Sequence, residues 1–353
     1  MKKKLKRYLA LALSLVMTCS LLAACGSSSS TGSSTSSGTS TPAASSTASS
    51  QAEVVRTPIT IHWAAGSSAG ALAVTGNVMG GLLADLYDGY SVTPEITTGG
   101  VENCKLLLAG DANFISIQAD DALATVNGER DWKDIPEARD ALRYVSAAYV
   151  TKYNIFVPAK DDSINSFEDI KGKKIGVLAG STYNNGWPLL LKAYDMTEAD
   201  FAAVEVMARP DLCNAIQDGS IDAIFDITTE NTVHQEAANA IGGYKVLSLP
   251  DDIAAKLKEL NPAYVDATIP ADYYAGNEEA KTIGAYNIWC TTADMDYQVV
   301  YDILTCMHDY DADIKAAHPN SGVTHNEEDI LNSQVVPWHP AAEQFYKDRG
   351  LLK

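Results

Sequence analysis

Short β-branched runs alternate with stretches of helical periodicity along most of this chain, and that alternation constrains the fold more than any other feature. Strands of this kind, each followed by a helix, pack as parallel sheets with helices on both faces. Ile59 to Ala64 is expected to be a strand, followed by small residues and a helix from Gly70 to Tyr87. Ser91 to Ile96 is the next strand, and Thr98-Gly99-Gly100 opens a helix whose Val101, Cys104, Leu107 and Leu108 share a face. Asn113 to Ile117 is short and nearly continuous in apolar residues, as a buried parallel strand should be. Lys174 to Leu178, Val204 to Met207, Ile221 to Asp226 and Tyr244 to Leu247 repeat the pattern further on.

One comparison within the chain adds to this. Leu108 to Ile115 and Gln217 to Ile224 share one plan, a helix ending on Gly followed at once by a strand. Gly110 and Gly219 would each supply a left-handed cap that turns the backbone into that strand. Two such units in separate halves predict two similar α/β lobes. From Thr57 to Lys353 there are 297 residues, about twice the usual single-domain length.

The first 56 residues are of a different kind. Lys2, Lys3, Lys4, Lys6 and Arg7 precede an apolar run from Tyr8 to Leu22, and Leu22-Ala23-Ala24-Cys25 follows. A cationic flank, a short apolar run and small residues before a cysteine predict a signal peptide at 1–24 and lipidation of Cys25. From Gly26 to Ala52 no residue is charged, so 25–56 is expected to be a lipidated flexible tether. The expected location is the extracytoplasmic face of a cell membrane, held by lipid.

Removal of residues 1–24 takes away five basic and no acidic residues, moving the formal charge from −19 to −24. Such an excess argues against a nucleic-acid partner, which needs clustered Lys and Arg. Cys104, Cys213, Cys290 and Cys306 form no CxxC and permit three pairings; in a chain long enough to build its own core, buried free thiols are the preferred reading. The histidines lack metal-ligand spacing, so neither a metal nor a cofactor is expected.

In open α/β sheets ligands sit beyond the carboxyl ends of the strands, where helix N-termini point. Those positions hold Ser67, Ser68 and Gly70; Thr98, Gly99 and Gly100; Gln118 and Asp120; Ser181, Thr182 and Tyr183; and Thr228. Small and hydroxyl-bearing residues there expose backbone N–H groups, which favour an anionic group such as a carboxylate. Arg209 and Asp226 follow or end strands, and as a pair they would suit the carboxylate and ammonium of an amino acid; the plainer reading is a surface arginine and a capping aspartate. Tyr153, Tyr183 and Tyr286 are expected to line a cleft or hinge.

These residues resemble the TAXI family of solute receptors, the binding subunits of TRAP transporters. The resemblance covers nearly all of 58–350. It rests on the small-residue loop after the first strand, Thr98 to Asn103, Gln118-Ala119-Asp120, Ser166 to Val177, Ala267-Thr268-Ile269-Pro270 and Pro337 to Tyr346. It implies a two-lobed type II periplasmic-binding-protein fold, with lobe 1 at 57–157 and 286–353, lobe 2 at 158–285, and hinge crossings near Asn154 to Ala159 and Ala285 to Cys290. It further implies a monomer that binds a small organic acid or a glutamate-like amino acid and presents it to a membrane permease. The chain departs from the family pattern at Ser67-Ser68-Ala69-Gly70, where Ser-Thr-Gly-Gly is usual, at Leu72 and Ala73, where tyrosines tend to follow, and at Gly180-Ser181-Thr182-Tyr183.

Three other readings remain open at this level. The binding lipoprotein of an ABC importer would have the same fold and another membrane partner, and a signalling or adhesive lipoprotein would capture no solute. Gly66-Ser67-Ser68-Ala69-Gly70 also fits G-x-S-x-G between a strand and a helix, which would make Ser68 a hydrolase nucleophile. No earlier strand and loop is present to complete an oxyanion hole, and no histidine stands out as its base.

Overall fold

A computed structural model describes residues 55–66, 70–229, 231–318 and 320–353. The segment carrying the signal peptide, Cys25 and nearly all of the tether lies outside the described residues, as do Ser67 and Ser68. Among the described residues no helix is long and apolar enough to cross a membrane.

The first lobe opens with β1 (Ile59–Gly66), α1 (Ala71–Leu86), β2 (Tyr90–Ile96), α2 (Gly100–Ala109), β3 (Phe114–Gln118) and α3 (Ala119–Asn127). β1 lies between β2 and β3, parallel to both. The long strand β4 (Arg143–Pro158) then leads to β5 (Lys174–Leu178), α4 (Trp187–Ala193), β6 (Ala203–Met207), α5 (Arg209–Asp218), β7 (Ala223–Thr228), α6 (Thr232–Ile241), β8 (Tyr244–Val246), α7 (Asp251–Leu260) and β9 (Tyr264–Ile269). Here β5 is the parallel centre between β6 and β7. β10 (Ala280–Thr291) returns to the first lobe, which α8 (Tyr297–Asp309), α9 (Asp311–Lys315), α10 (Glu327–Ser333) and α11 (Pro340–Asp348) complete.

Two strands carry the chain between the lobes. β4 pairs antiparallel with β10 from Arg143 to Lys152, then with β7 from Lys152 to Phe156. β10 pairs with β9 through Ala280 to Ala285 and with β3 through Asn287 to Thr291. Each long strand therefore has one half in each lobe, and together they join all ten strands into one continuous sheet, in the order β2-β1-β3-β10-β4-β7-β5-β6 with β8 beside β4 and β9 beside β10. The pairing of β10 with β4 is irregular between Tyr286 and Ile288, where the neighbour on the other side of β10 changes from β9 to β3.

The hydrophobic cores divide the same way. Trp63, Phe114 and Trp289 pack together in the first, with ring centroids 4.3 to 5.8 Å apart, and Phe345 and Tyr346 belong to the same core from the C-terminal helix. Trp187, Phe167, Phe201, Phe225 and Tyr153 fill the second, and a third cluster lies under α5 and α6. Each aromatic buried this way contributes about 1.5–3 kcal/mol, so each half has the material for its own core.

The capping expectation is met: α2 ends on Gly110 at φ 79° and α5 on Gly219 at φ 77°, both left-handed. Segments that carried the resemblance have visible structural roles. Asp169 accepts from the backbone N–H groups of Asn165 and Ser166 at 2.9 Å, fixing the turn before β5. Pro337 to His339 is stitched to β4 through Tyr144, and His339 accepts from Ala341 N–H while its other ring nitrogen lies 3.1 Å from Met295 O. Cys104, Cys213, Cys290 and Cys306 are buried free thiols.

Candidate functional site

Parallel strands from both lobes end at one cleft. β1 stops at Gly66 and β3 at Gln118 on one side; β5 stops at Leu178 and β7 runs past Ile227 on the other. Between them lies a cavity of about 860 Å³. Gly70, Thr98, Gly99, Gly100, Gln118 and Asp120 line it from the first lobe, and Ser181 and Thr182 from the second. Tyr149 and Asn287, on the two crossing strands, complete its lining.

The first-lobe loops are held from behind. A Cβ on Gly100 would sit 3.0 Å from Ile117, so glycine lets the start of α2 rest on β3. Thr98 donates to Glu102 Oε2 through its backbone N–H at 2.6 Å and its hydroxyl at 2.7 Å, and those bonds hold the Glu102 carboxyl below its ordinary pKa. Asn103, fully buried, donates to Ser116 O at 2.8 Å. Gln118 donates to Thr151 Oγ1 on β4 at 2.6 Å, tying the loop to a crossing strand.

The first turn of α3 places two aspartates side by side, Asp120 at 6% and Asp121 at 4% exposure. One arginine serves both: Arg130 Nη1 donates to Asp121 Oδ1 at 2.7 Å and to Asp120 Oδ2 at 3.3 Å. Arg130 itself has φ +53°, a conformation that non-glycine residues rarely adopt without compensation. Burial, followed by the charge of Asp120, pushes the Asp121 pKa up to about 7. Burial also raises that of Asp120, against the pull of Arg130. Asp121 further accepts from Asn185 Nδ2 at 3.2 Å and lies 3.5 Å from Ser181 Oγ, contacts that cross from one lobe to the other.

Four expected site residues are elsewhere. Side chains alternate along a strand, so with Ile227 at the cleft its neighbours Asp226 and Thr228 point to the opposite face of β7. There Asp226, fully buried, accepts from Arg209 Nε at 2.6 Å and Nη2 at 3.0 Å and lies 2.8 Å from His234 Nε2. Burial opposes its charge, but the bonds from His234 and Arg209 prevail and hold its pKa below the ordinary value. Arg209 and Asp226 thus satisfy each other, which is neither an amino-acid clamp nor a surface arginine with a capping aspartate. Cys213, with burial pushing its pKa up to about 11, lies 3.4 Å from His234 Nδ1 and closes this buried group. Tyr183 packs on the second core and its hydroxyl bonds Glu198, away from the cleft. Of the other tyrosines, Tyr153 donates to Tyr264 at 2.7 Å within the second core.

Sequence reading missed Asp121, Arg130, Tyr149, Asn185 and Asn287. The adjacent acids at a helix start were the one available signal; Arg130, nine residues beyond Asp121, belongs to no motif.

A family model described as the NMT1-like family matches residues 63–350. Among solved structures, the chain is similar to the periplasmic aliphatic sulphonate binding protein SsuA from Escherichia coli, at 17% identity over 82% of this chain and 79% of that one, with a TM-score of 0.49. It is similar to XAC2383 from Xanthomonas citri bound to ATP, at 10% identity over 83% and 99%, TM-score 0.49. A third likeness is to the alkanesulfonate-binding protein SsuA from Xanthomonas axonopodis pv. citri bound to MOPS, at 15% identity over 83% and 85%, TM-score 0.43.

Proposed function

The chain belongs to the NMT1-like family, and from that premise we propose that it is an extracytoplasmic solute receptor of a membrane transporter, one that captures a small solute and does no chemistry on it. The observation that carries this reading is the 860 Å³ cleft, lined from both lobes at the strand ends and spanned, among the described residues, by the two strands β4 and β10. A solute bound there would touch both lobes at once. Its contacts would offset the cost of closing them, and the closed shape would be what a permease recognises. Because Lys152 to Phe156 pair with β7, and Tyr153, Ile155 and Val157 pack in the second core, the first crossing lies a few residues earlier than 157: lobe 1 then comprises 57–151 and 286–353, and lobe 2 comprises 152–285.

The finer features follow the sequence. Lipidation at Cys25 would anchor a monomer to the outer face of the membrane, and the tether would let it turn. The resemblance to TAXI receptors supports a TRAP permease as partner and a small organic acid or an amino acid as solute. A large fused permease gene beside this one is the expected neighbour; an ATPase gene would assign the receptor to an ABC importer instead. Metabolic labelling with an alkynyl palmitate is expected to mark the protein, and Cys25→Ala to abolish the mark.

The receptor reading is tested by X-ray scattering and thermal melting against a panel of metabolites. A true solute shrinks the radius of gyration and, at 100 times its dissociation constant, adds about 2.7 kcal/mol of stability. A particle whose shape and melting answer to none of them is no receptor.

A further inference from the structure

We infer that the solute carries a protonated amine, and that the cleft receives it at Oδ1 of Asp120. This rests on the receptor reading and concerns what the receptor holds.

Oδ1 of Asp120 is buried and accepts no hydrogen bond of ordinary geometry among the described residues; the backbone N–H groups of Asp120 and Asp121 act on the carboxylate from its own helix turn, and the residue lines the cavity. Buried acceptors without a donor are uncommon in folded proteins, and one on a residue that lines a cavity is a place for a donor from outside the chain. The other oxygens of the acidic pair are engaged: Asp120 Oδ2 by Arg130, Asp121 Oδ1 by Arg130 and Asn185, and Asp121 Oδ2 by Ser181.

The charges along the wall point the same way. Among the described residues lining the cavity, Glu102, Asp120, Asp121 and Asp131 are acidic and Arg130 alone is basic. Arg130 is already held by two carboxylates. Helix N-termini attract anions, yet the first turn of α2 carries Glu102 and that of α3 carries Asp120 and Asp121, so the protein fills with its own carboxylates the places a ligand carboxylate would take. A solute charged only by carboxylate meets like charge here, so of the two proposed classes the amine-bearing one is favoured over the plain organic acid; an ammonium meets an unengaged acceptor and supplies a charge-assisted hydrogen bond to it.

Isothermal titration calorimetry on the full-length protein, with 1,5-diaminopentane and lysine set against glutarate, tests the inference. At least one amine is expected to bind more than 10-fold tighter than the diacid. Asp120→Asn, folded by circular dichroism, is expected to weaken that amine at least 10-fold, and Asp251→Asn on the remote surface to leave it unchanged. The comparison of amines with diacid needs no variant, so it stands even if Asp120→Asn fails to fold. Glutarate binding in preference to both amines, undiminished amine binding to Asp120→Asn, or discovery of a solute lacking a cationic group in the wider metabolite panel would overturn the inference and leave the receptor reading intact. If no compound of any class binds or alters the scattering profile, the receptor reading falls and this inference with it.

Discussion

At the start of α5 one arginine meets one buried aspartate; near the start of α3 one arginine is divided between two. Asp226 has both oxygens bonded to Arg209, with His234 beside it, and its pKa is lowered although it is fully buried. Asp120 and Asp121 share Arg130, keep one oxygen without a partner, and have raised pKa values. The residue types are the same and the burial is similar. What differs is the ratio of donors to acceptors, and the group left short of donors is the one that opens on the cleft. A satisfied ion pair belongs to the structure of a lobe, whereas an unsatisfied one is held ready for something else.

The largest effect that could break this contrast is on stability. Asp226→Ala would leave the buried His234 and the partly exposed Arg209 without their shared partner and is expected to cost about 3 kcal/mol in urea unfolding, the low end for a broken buried pair because Arg209 reaches solvent. Asp120→Asn removes one of two neighbouring like charges and is expected to change stability by no more than about 1 kcal/mol. Equal losses would mean that both groups are structural.

Next in size is Arg130→Met, which leaves two carboxylates without their shared cation. A loss of about 2 kcal/mol is expected at pH 8, after discounting for the partial exposure of Arg130, and much less at pH 5, where protons replace the guanidinium. Unfolding at the two pH values checks it.

The wild-type pH profile sharpens the contrast further. With the Asp121 pKa raised from 3.8 to about 7, the folded state binds a proton in that interval that the unfolded state has released. Stability should therefore fall as pH rises from about 4 to 7, and Asp121→Asn should flatten that slope. Asp226 contributes in the opposite sense: its folded pKa is lowered, so its stabilisation is present above the unfolded value and is lost as pH falls through the folded one. Urea midpoints measured from pH 3 to 8 separate the two.

The smallest effect is expected at the contact between lobes. Asn185→Ala removes a hydrogen bond to Asp121 worth about 0.5–1.5 kcal/mol. It should shift the scattering profile toward a more open particle while leaving the two cores as stable as before.

Much of the fold could be read from the chain. β5 at Lys174–Leu178 falls where it was expected, and β1, β2, β3, β6, β7 and β8 fall within two residues of their expected bounds; β3, β5 and β7 are buried and leave a nearly continuous apolar run, while the half-exposed β2 and β6 are marked by β-branched residues between helices. The sequence does not read as strand over the long β4 and β10, since each passes from one lobe to the other and changes neighbours partway. A strand whose two halves answer to different surroundings has no single period to detect. At the site, Thr98, Gly99, Gly100, Gln118, Asp120, Ser181 and Thr182 line the cleft as expected, because their place at strand ends is a local property. Arg209, Asp226, Thr228 and Tyr183 do not. Their direction depended on which face of a strand or turn met the cleft.

By itself, then, the sequence determined that strands and helices alternate, where helices end on Gly110 and Gly219, and which loops stand at the strand ends. These are matters of backbone conformation and apolar periodicity, which act over a few residues. Tertiary structure alone decided that Arg209 would neutralise Asp226 while Arg130 would be divided between Asp120 and Asp121, because charge pairing is settled by distances of about 3 Å between side chains that approach only after the chain has packed.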